Sequence, residues 1–290
     1  MAHPDASAPP STRSAVRTSA DDRRSAVDFR NVEVTFRSTN GSVYTACKDV
    51  NLTLEDGEFV AIVGPTGCGK STLLNVVAGI LPCSTGSVSV FGQQVHGIQP
   101  GIGYMFQNDA LLPWLTARRN VELGLKFRGD PAPSAEALAN EWLARVGLAG
   151  FGDRYPHQLS GGMRKRVALA QMMIMDPKVI LMDEPFSALD VQTRQLMENE
   201  LLDIWSADRR TVIFVTHDLE EAICLADRVI VLSAGPATTP VAEFTIDIPR
   251  PRDVTEIVHT QAYTDLHTKI WGALKDQVLR SYENQRKGAA

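Results

Sequence analysis

The 290-residue sequence contains no long uninterrupted run of apolar side chains. A helix needs about 18 to 20 such residues to cross a bilayer, whereas a typical run here, VILM at residues 179–182, has four. Short runs of this kind are typical of buried strands. If the protein acts at a membrane, we expect another chain to supply the membrane-spanning part.

Cysteine is scarce, and positive charge is not in excess. The four cysteines, Cys47, Cys68, Cys83 and Cys224, form no CxxC pair and no metal-ligand spacing, so neither a disulfide framework nor a zinc site is expected. A reducing cytoplasm fits free thiols. There are 29 Lys and Arg against 34 Asp and Glu, a formal net charge of -5. Binding to a phosphate backbone needs a basic surface, so nucleic acid is not expected as a partner.

The order of patterns along the chain predicts three parts. Residues 1–26 are rich in Ala, Ser, Pro and Arg without an apolar signal segment, and we interpret them as a disordered tail. Residues 27–245 open with short β-rich runs and continue as alternating strand and helix patterns, which predict an α/β domain with a parallel sheet. Within it, residues 108–175 read as a helical insertion. Residues 246–290 read as a C-terminal helical extension.

Two helical patterns support this division. In the insertion, Leu138, Trp142 and Val146 recur at four-residue steps behind Ser134, which we expect to cap the helix. In the extension, the same spacing predicts an amphipathic helix that packs on the domain. Its apolar residues are Leu266, Ile270, Leu274 and Val278.

The motif GPTGCGKS at residues 64–71 follows a predicted strand and precedes a predicted helix. Its glycines allow backbone N–H groups to converge on phosphate oxygens at the start of the helix. Lys70 would then reach the β- and γ-phosphates, and the Ser71 hydroxyl would bind Mg²⁺. A nucleoside triphosphate is therefore the expected ligand. The predicted nucleotide-binding residues of this segment are Gly64, Pro65, Thr66, Gly67, Cys68, Gly69, Lys70, Ser71 and Thr72. A thiol at Cys68 is expected to be alkylated with loss of activity, and bound ATP is expected to protect it.

The motif VILMDEP at residues 179–185 is a buried-strand pattern that ends in two carboxylates. Carboxylates at the end of a buried strand require a partner, and Mg²⁺ is the expected one. Asp183 would hold the metal. Glu184, one residue further, would polarise the attacking water.

The segment LSGGMRKRVALAQ at residues 159–171 places a second glycine-rich helix start in the same chain, and a helix N-terminus attracts anions. Ser160, Gly161 and Gly162, lying between the phosphate loop and the DEP strand, resemble the signature of ABC (ATP-binding cassette) ATPases. In that family the signature of one subunit closes on the γ-phosphate held by the other. The resemblance spans about residues 27–232.

The resemblance implies a P-loop NTPase core with an N-terminal antiparallel β region and a helical subdomain insertion. It also implies roles for four further residues. Gln107 would contact Mg²⁺ and the attacking water, Asp190 in the SALD segment would communicate across the dimer, and His217 would bind the γ-phosphate and orient the water of Glu184. Phe36 matches the aromatic residue that stacks on adenine, with Tyr44 as its rival.

Two positions depart from the family pattern. Met163 stands where most of the superfamily has Gln, and Gln171 stands where Arg is more usual. Met after Ser-Gly-Gly is frequent in the nitrate, sulfonate and taurine importer group, which residues 106–121 and the PRPRD segment at 249–253 also resemble. The apolar ALLPW stretch at 110–114 is expected either to help form a groove for a permease helix or to belong to the core of the insertion.

The leading hypothesis is thus an ATPase subunit that energises an ABC importer for a small solute, with ATP and Mg²⁺ as its ligands. The expected partners are a second ATPase subunit, the transmembrane permease subunits and, indirectly, a solute-binding protein. The expected location is the cytoplasmic face of the cell membrane. The alternatives are an ABC exporter subunit and a soluble ABC ATPase acting on nucleic acid or ribosomes. The second is disfavoured because the chain has neither a long coiled coil nor two cassettes.

Overall fold

The computed structural model describes residues 24–37, 39 and 41–288. The expected N-terminal tail therefore lies almost wholly outside the described residues. The first strand begins at Ser25, two residues before the expected domain boundary. Ser25 and Ala26 therefore belong to a sheet and not to the expected tail.

The described residues form two sheets and eight α-helices. The strands are β1 (Ser25–Arg37), β2 (Val43–Glu55), β3 (Phe59–Val63), β4 (Thr85–Val90), β5 (Gln93–Gln94), β6 (Ile102–Met105), β7 (Val179–Asp183), β8 (Thr211–Thr216), β9 (Arg228–Leu232) and β10 (Pro240–Thr245). The helices are α1 (Lys70–Val77), α2 (Ala117–Arg128), α3 (Ala132–Arg145), α4 (Gly161–Met173), α5 (Val191–Ala207), α6 (Leu219–Leu225), α7 (Val254–Ile257) and α8 (Gln261–Gly288).

The larger sheet has the strand order β10-β9-β3-β8-β7-β6. Strands β6, β7, β8, β3 and β9 pair in parallel, and β10 is antiparallel to β9 at the edge. The carboxyl ends of the parallel strands therefore lie at one edge, where α/β sheets place their ligand sites. The smaller sheet, β2-β1-β4-β5, is antiparallel. The expected α/β architecture with an antiparallel opening is confirmed.

The central strand β3 separates two hydrophobic cores. All five of its residues are buried, and successive side chains of a strand point to opposite faces. Val60 and Ile62 pack with α1 and the antiparallel sheet, whereas Phe59, Ala61 and Val63 pack with the other helices. Burial on both faces explains the continuous apolar run in the sequence and holds the loop that follows β3 on a rigid base.

Helices α2, α3 and α4 form the helical insertion. The cap predicted at Ser134 is wrong, because α3 begins at Ala132 after Pro131, and the Ser134 hydroxyl donates to the Pro131 carbonyl instead. A proline at the start of a helix needs no amide hydrogen bond. The residues of α3 that are fully buried are Ala135, Ala139 and Leu143, while Leu138 and Trp142 pack at the margin of the core.

The C-terminal extension is two helices rather than one. The short helix α7 precedes α8, whose Ile270 and Leu274 are buried against the domain, with Leu266 and Val278 partly buried beside them. The packing face predicted for this helix is therefore the one observed. Among the described residues, no helix is apolar over the length that a bilayer crossing requires.

The PRPRD segment anchors this extension. Arg250 pairs with Asp227 and lies over the ring of Trp205. The guanidinium of Arg252 donates to the carbonyls of Ala226 and Ile248 at 2.7 and 2.8 Å. Burial lowers the pKa of Arg252 to about 10, so the group remains charged near neutral pH and needs these acceptors.

Candidate functional site

The phosphate loop joins β3 to α1 at the carboxyl edge of the parallel sheet. Gly67 and Gly69 have φ values of 76° and 109°, which side chains with a Cβ rarely adopt. A Cβ on Gly69 would lie 2.9 Å from the Cys47 sulfur. The Lys70 ammonium is buried and donates to the carbonyls of Gly64 and Pro65 at 3.0 and 3.2 Å.

The remaining residues of the loop differ in exposure. Thr66, Gly67 and Ser71 are exposed, whereas Pro65 is buried and Thr72 is half-buried. The loop therefore presents its middle and the start of α1 to solvent. Its two ends are fixed in the protein, as a preformed anion cradle requires.

The structure buries Cys68, which argues against the expected alkylation of its thiol. Its side chain is only 1% exposed and belongs to the core under the loop, and a Cβ on Gly64 would lie 2.9 Å from its sulfur. Burial raises the pKa of the Cys68 thiol, an effect that the nearby Lys70 opposes. Since the thiolate is the reactive form, we expect this thiol to react slowly in the folded protein.

Ser71 and Asp183 meet across the site. The Ser71 hydroxyl donates to Oδ1 of Asp183 at 2.9 Å, although 112 residues separate them in the chain. Burial raises the pKa of Asp183, and the hydrogen bond from Ser71 opposes that rise. A hydroxyl and a carboxylate at this spacing form the hard oxygen donor set that Mg²⁺ prefers. The residues present therefore fit the metal.

Glu184 lies at the centre of a polar cluster. Its Oε2 atom is 3.1 Å from Nδ1 of His217 and 3.5 Å from Nε2 of Gln107, and its Oε1 atom is 3.9 Å from Nζ of Lys70. Its backbone φ of 44° is unusual for a residue with a Cβ. The Glu184 amide donates to the Val215 carbonyl, and its carbonyl accepts from the Ser187 hydroxyl. The turn that directs this carboxylate is thus held on both sides.

The Ser-Gly-Gly segment begins helix α4. Ser160 is the N-cap, and its hydroxyl accepts from the Met163 amide at 3.3 Å. A Cβ on Gly162 would lie 2.6 Å from the Thr193 methyl group, so glycine lets α4 approach α5 closely. Gly161 has no such close neighbour. The Met163 side chain packs against the core, which leaves the start of α4 without the amide that Gln would supply.

Asp190 is the N-cap of α5. Its carboxylate accepts from the Thr193 amide at 3.0 Å, and these hydrogen bonds from Thr193 lower the pKa of Asp190. Within this chain the residue therefore has a local structural task. Its backbone lies one residue after Leu189, whose carbonyl accepts from Arg194.

The two candidate adenine-stacking residues are cross-strand partners. Phe36 on β1 pairs with Tyr44 on β2, and the two side chains are 41% and 46% exposed. Neither ring is buried in the hydrophobic core. The structure thus presents both candidates at the end of the same hairpin and does not choose between them.

Sequence reasoning missed three charged residues, Asp109, Arg164 and Lys165, that hold the loop that carries Gln107 (the Gln107 loop) after β6. Lys165 on α4 is 2% exposed, and its ammonium donates to the Gln107 carbonyl and lies 3.3 Å from Asp109. Arg164 also binds Asp109, at 2.9 Å. The RKR run at residues 164–166 was a visible signal, but only the packing of α4 shows that Lys165 points inward and that Arg164 binds Asp109.

Comparison with known proteins agrees with this geometry. The family model described as ABC transporter matches residues 47–187. The nitrate import ATP-binding protein NrtD of Synechocystis sp. is 46% identical over 214 residues, which cover 74% of this chain and 80% of that protein. The chain belongs to the ABC transporter ATP-binding family. It is therefore an ATPase subunit with an ABC cassette fold.

Two further likenesses refine this assignment. The bicarbonate transport ATP-binding protein CmpC of Synechococcus elongatus is 40% identical over 90% of this chain, which spans 40% of that longer protein. A solved dimeric ATP-binding cassette, in a post-hydrolysis state bound to ADP and Pi, superposes on this ABC ATPase with a TM-score of 0.69 and 33% identity. It matches 77% of this chain and 100% of that chain.

Proposed function

We propose that this ABC ATPase hydrolyses ATP between two copies of itself and thereby drives a separate permease that imports a small anion. The observation that carries the proposal is the meeting of the phosphate loop, the Ser71–Asp183 pair and the Glu184–His217–Gln107 cluster at one edge of the parallel sheet. These groups come from distant parts of the chain. Their assembly at one place is expected of a site for phosphoryl chemistry.

The phosphate loop and an aromatic ring would bind the nucleotide. The amides of residues 64–72 would hold the phosphates at the N-terminus of α1, where the helix dipole favours negative charge. The Lys70 ammonium, held by two loop carbonyls, would exchange these for phosphate oxygens. Phe36 would stack on the adenine ring.

Ser71, Asp183 and Gln107 would hold Mg²⁺. When bound, the metal supplies charge neutralisation for the phosphate oxygens. Asp183 must be ionised for this role. Burial opposes its ionisation, whereas the Ser71 hydroxyl favours it.

Glu184 would act as the general base toward the attacking water, with His217 and Gln107 fixing the carboxylate and the γ-phosphate. The contacts of its Oε2 atom with both residues support this arrangement. An ionised carboxylate only accepts hydrogen bonds, so His217 donates from Nδ1. The strained turn at Glu184 supports a functional rather than a packing role.

A second copy would complete the site. Ser160, Gly161 and Gly162 begin a helix, and the amides at its start are oriented to receive an anion. They would close on the γ-phosphate held by the partner subunit, with Asp190 communicating across the interface. The dimeric state of the similar solved cassette supports this proposal.

The permease would dock beside the helical insertion. Phe106, Trp114 and Phe127 are exposed there, Phe127 to 83%, and a cavity of about 370 Å³ lies between this insertion and the sheet. Phe106, Phe127 and Gln171 are among its lining residues. Exposed aromatic side chains around a groove fit a docked helix. With the permease docked there, the subunit would lie peripherally, on the cytoplasmic face of the membrane.

The solute would be chosen by the permease and a solute-binding protein. Two of the relatives are nitrate import and bicarbonate transport ATP-binding proteins, and both of these ions are small oxyanions. The sequence also resembles the importers of sulfonate and taurine. We therefore place a small oxyanion first.

Purified protein should hydrolyse ATP only with Mg²⁺. Vesicles that contain its genetically neighbouring permease and solute-binding protein should take up labelled nitrate or bicarbonate when ATP is supplied on the side of this subunit. If the vesicles took up only taurine or a sulfonate, the protein would still be an importer subunit, but its solute would not be a small inorganic oxyanion. ATP hydrolysis coupled only to efflux would refute the importer assignment.

A further inference from the structure

One arginine joins the two loops that flank the proposed catalytic cluster. Arg194 is the fourth residue of α5. Nη2 of its guanidinium donates to the Leu189 carbonyl at 3.2 Å, and Nη1 donates to Oδ2 of Asp218 at 2.9 Å. Leu189 precedes Asp190, and Asp218 follows His217. A single side chain therefore links the SALD segment with the His217 turn.

Thr216, which precedes His217, is also connected to Arg194, through Glu221. The Asp218 amide donates to the Thr216 hydroxyl at 3.0 Å, and this hydroxyl donates to the Glu221 carboxylate. Oε1 of Glu221 lies 3.9 Å from Nε of Arg194. His217 thus stands between two residues, Thr216 and Asp218, that both connect to Arg194.

The network is partly shielded from solvent. The Arg194 side chain is 24% exposed, and that of Glu221 is 3% exposed, so water screens their attraction less than at an open surface. The planar guanidinium fixes the directions of its donors in a rigid fork, whereas the ammonium of Lys is a single centre on a flexible stem. The contact geometry therefore depends on arginine itself and not only on a positive charge.

We propose that Arg194 is a positioning residue for ATP hydrolysis, which holds His217 beside Glu184 and ties that position to residues 187–190. This inference rests on the proposed roles of Glu184 and His217. A displacement of the SALD segment, where Asp190 would face the partner subunit, would then be carried through the Leu189 carbonyl and Asp218 to the imidazole. Mutations in such contact networks can change the coupling between two sites by roughly two- to thirtyfold.

Steady-state kinetics of four variants provide the first test. Arg194→Met should lower kcat about tenfold with the KM for ATP changed less than about twofold, because the phosphate loop is untouched. Arg194→Lys should fall between Met and wild type. Asp218→Asn keeps the cap that Oδ1 provides to the Glu220 amide but weakens the ion pair, so it should also lower kcat. The matched control is Arg145→Met, which removes a surface pair with Glu141 and should leave kcat unchanged.

The double variant Arg194→Met/Asp218→Asn separates positioning from general damage. If the two residues act as one unit, its kcat should match that of Arg194→Met within about twofold. Multiplied losses, or a wild-type kcat in folded Arg194→Met, would overturn the proposal. Equal melting temperatures for Arg194→Met and Arg145→Met would show that the effect is not one of stability.

An imidazole resonance gives a readout independent of turnover. In protein labelled at histidine, the His217 signal, identified by its loss in His217→Ala, should shift in Arg194→Met while the signals of the other five histidines stay in place. An unmoved His217 signal would overturn the inference even if kcat fell. If wild-type protein hydrolyses no ATP but the signal shifts, the proposed function fails and the positioning contact stands.

Discussion

The Nδ1 atom of His217 lies 3.1 Å from Oε2 of Glu184, across 33 residues of sequence. The contact joins the end of β8 to the end of β7, which are neighbouring parallel strands. It orients a carboxylate whose backbone is already held in a rare conformation. The ends of two paired strands therefore bring these two side chains together.

Glu184→Gln should separate nucleotide binding from hydrolysis. The amide preserves the shape but removes the proton acceptor, so ATPase activity should fall by roughly 10² to 10⁴. Lys70, Ser71 and Asp183 remain, so ATP should stay bound. On a sizing column the variant should elute as a monomer without nucleotide and as a dimer with ATP.

Adding Ser160→Arg to that variant is the matched control for the dimer. It places bulk and charge at the start of α4 without touching the phosphate loop, so ATP should bind while the dimer disappears. Normal hydrolysis by Glu184→Gln would exclude Glu184 as the base. A dimer that survives Ser160→Arg would exclude the opposed-signature arrangement.

Phe36→Ala should weaken ATP binding, because stacking of a base on an aromatic ring contributes about 1 to 3 kcal/mol, or roughly 5- to 150-fold in Kd. Phe36→Tyr should be nearly neutral. Titration calorimetry with Tyr44→Ala decides between the cross-strand partners, and Val43→Ala, which truncates an exposed neighbour, is the control. A normal Kd for Phe36→Ala with a weakened Kd for Tyr44→Ala would assign stacking to Tyr44.

Cys68 should resist alkylation in the folded protein with or without ATP, because its thiol is buried and its pKa is raised. Cys83, which is partly exposed, should react first, and activity should persist. Mass spectrometry of peptides after iodoacetamide treatment measures both sites, and unfolded protein provides full labelling. Rapid labelling of Cys68 that ATP prevents would contradict this structure of the loop.

Glu198 should make the stability of the fold depend on pH. It is 1% exposed, and neither of its carboxylate oxygens has a hydrogen-bond partner among the described residues. Burial raises its pKa from 4.5 to about 8. The charged groups that act on it in addition are Glu221, Glu220 and Asp218, which raise the pKa, and Arg194, which lowers it.

The folded state holds this proton more tightly than the unfolded chain, so the free energy of unfolding should fall as pH rises from about 4.5 toward about 8. Glu221, whose pKa burial raises to about 7, acts in the same direction. Glu198→Gln stays neutral, and its free energy of unfolding should exceed that of wild type by a few kcal/mol at pH 8.5, with little difference near pH 5. Denaturant unfolding at both pH values measures this. The control, Glu256→Gln, changes an exposed carboxylate; equal pH slopes for wild type and Glu198→Gln would refute the assignment.

The sequence determined the architecture and the identities of the candidate site residues. Local backbone geometry requires certain residue types at certain spacings, so these patterns can be recognised in the sequence alone. They are the glycine spacing in residues 64–71, the apolar run before Asp183 and the Ser-Gly-Gly start of α4. The division into strand-rich, helical and C-terminal parts follows for the same reason. The predictions that were wrong concerned element boundaries and helix caps. Ser134 is an example, because α3 begins after Pro131 instead.

Tertiary packing alone decided which way the side chains face. Cys68 lies within the loop motif but points into the core, Lys165 turns inward from α4 to the Gln107 loop, and Arg194 reaches both Leu189 and Asp218. Each orientation depends on an element more than twenty residues away or on a turn held by other strands. A local sequence pattern does not identify such partners, because the orientation and burial of a side chain depend on the whole folded chain.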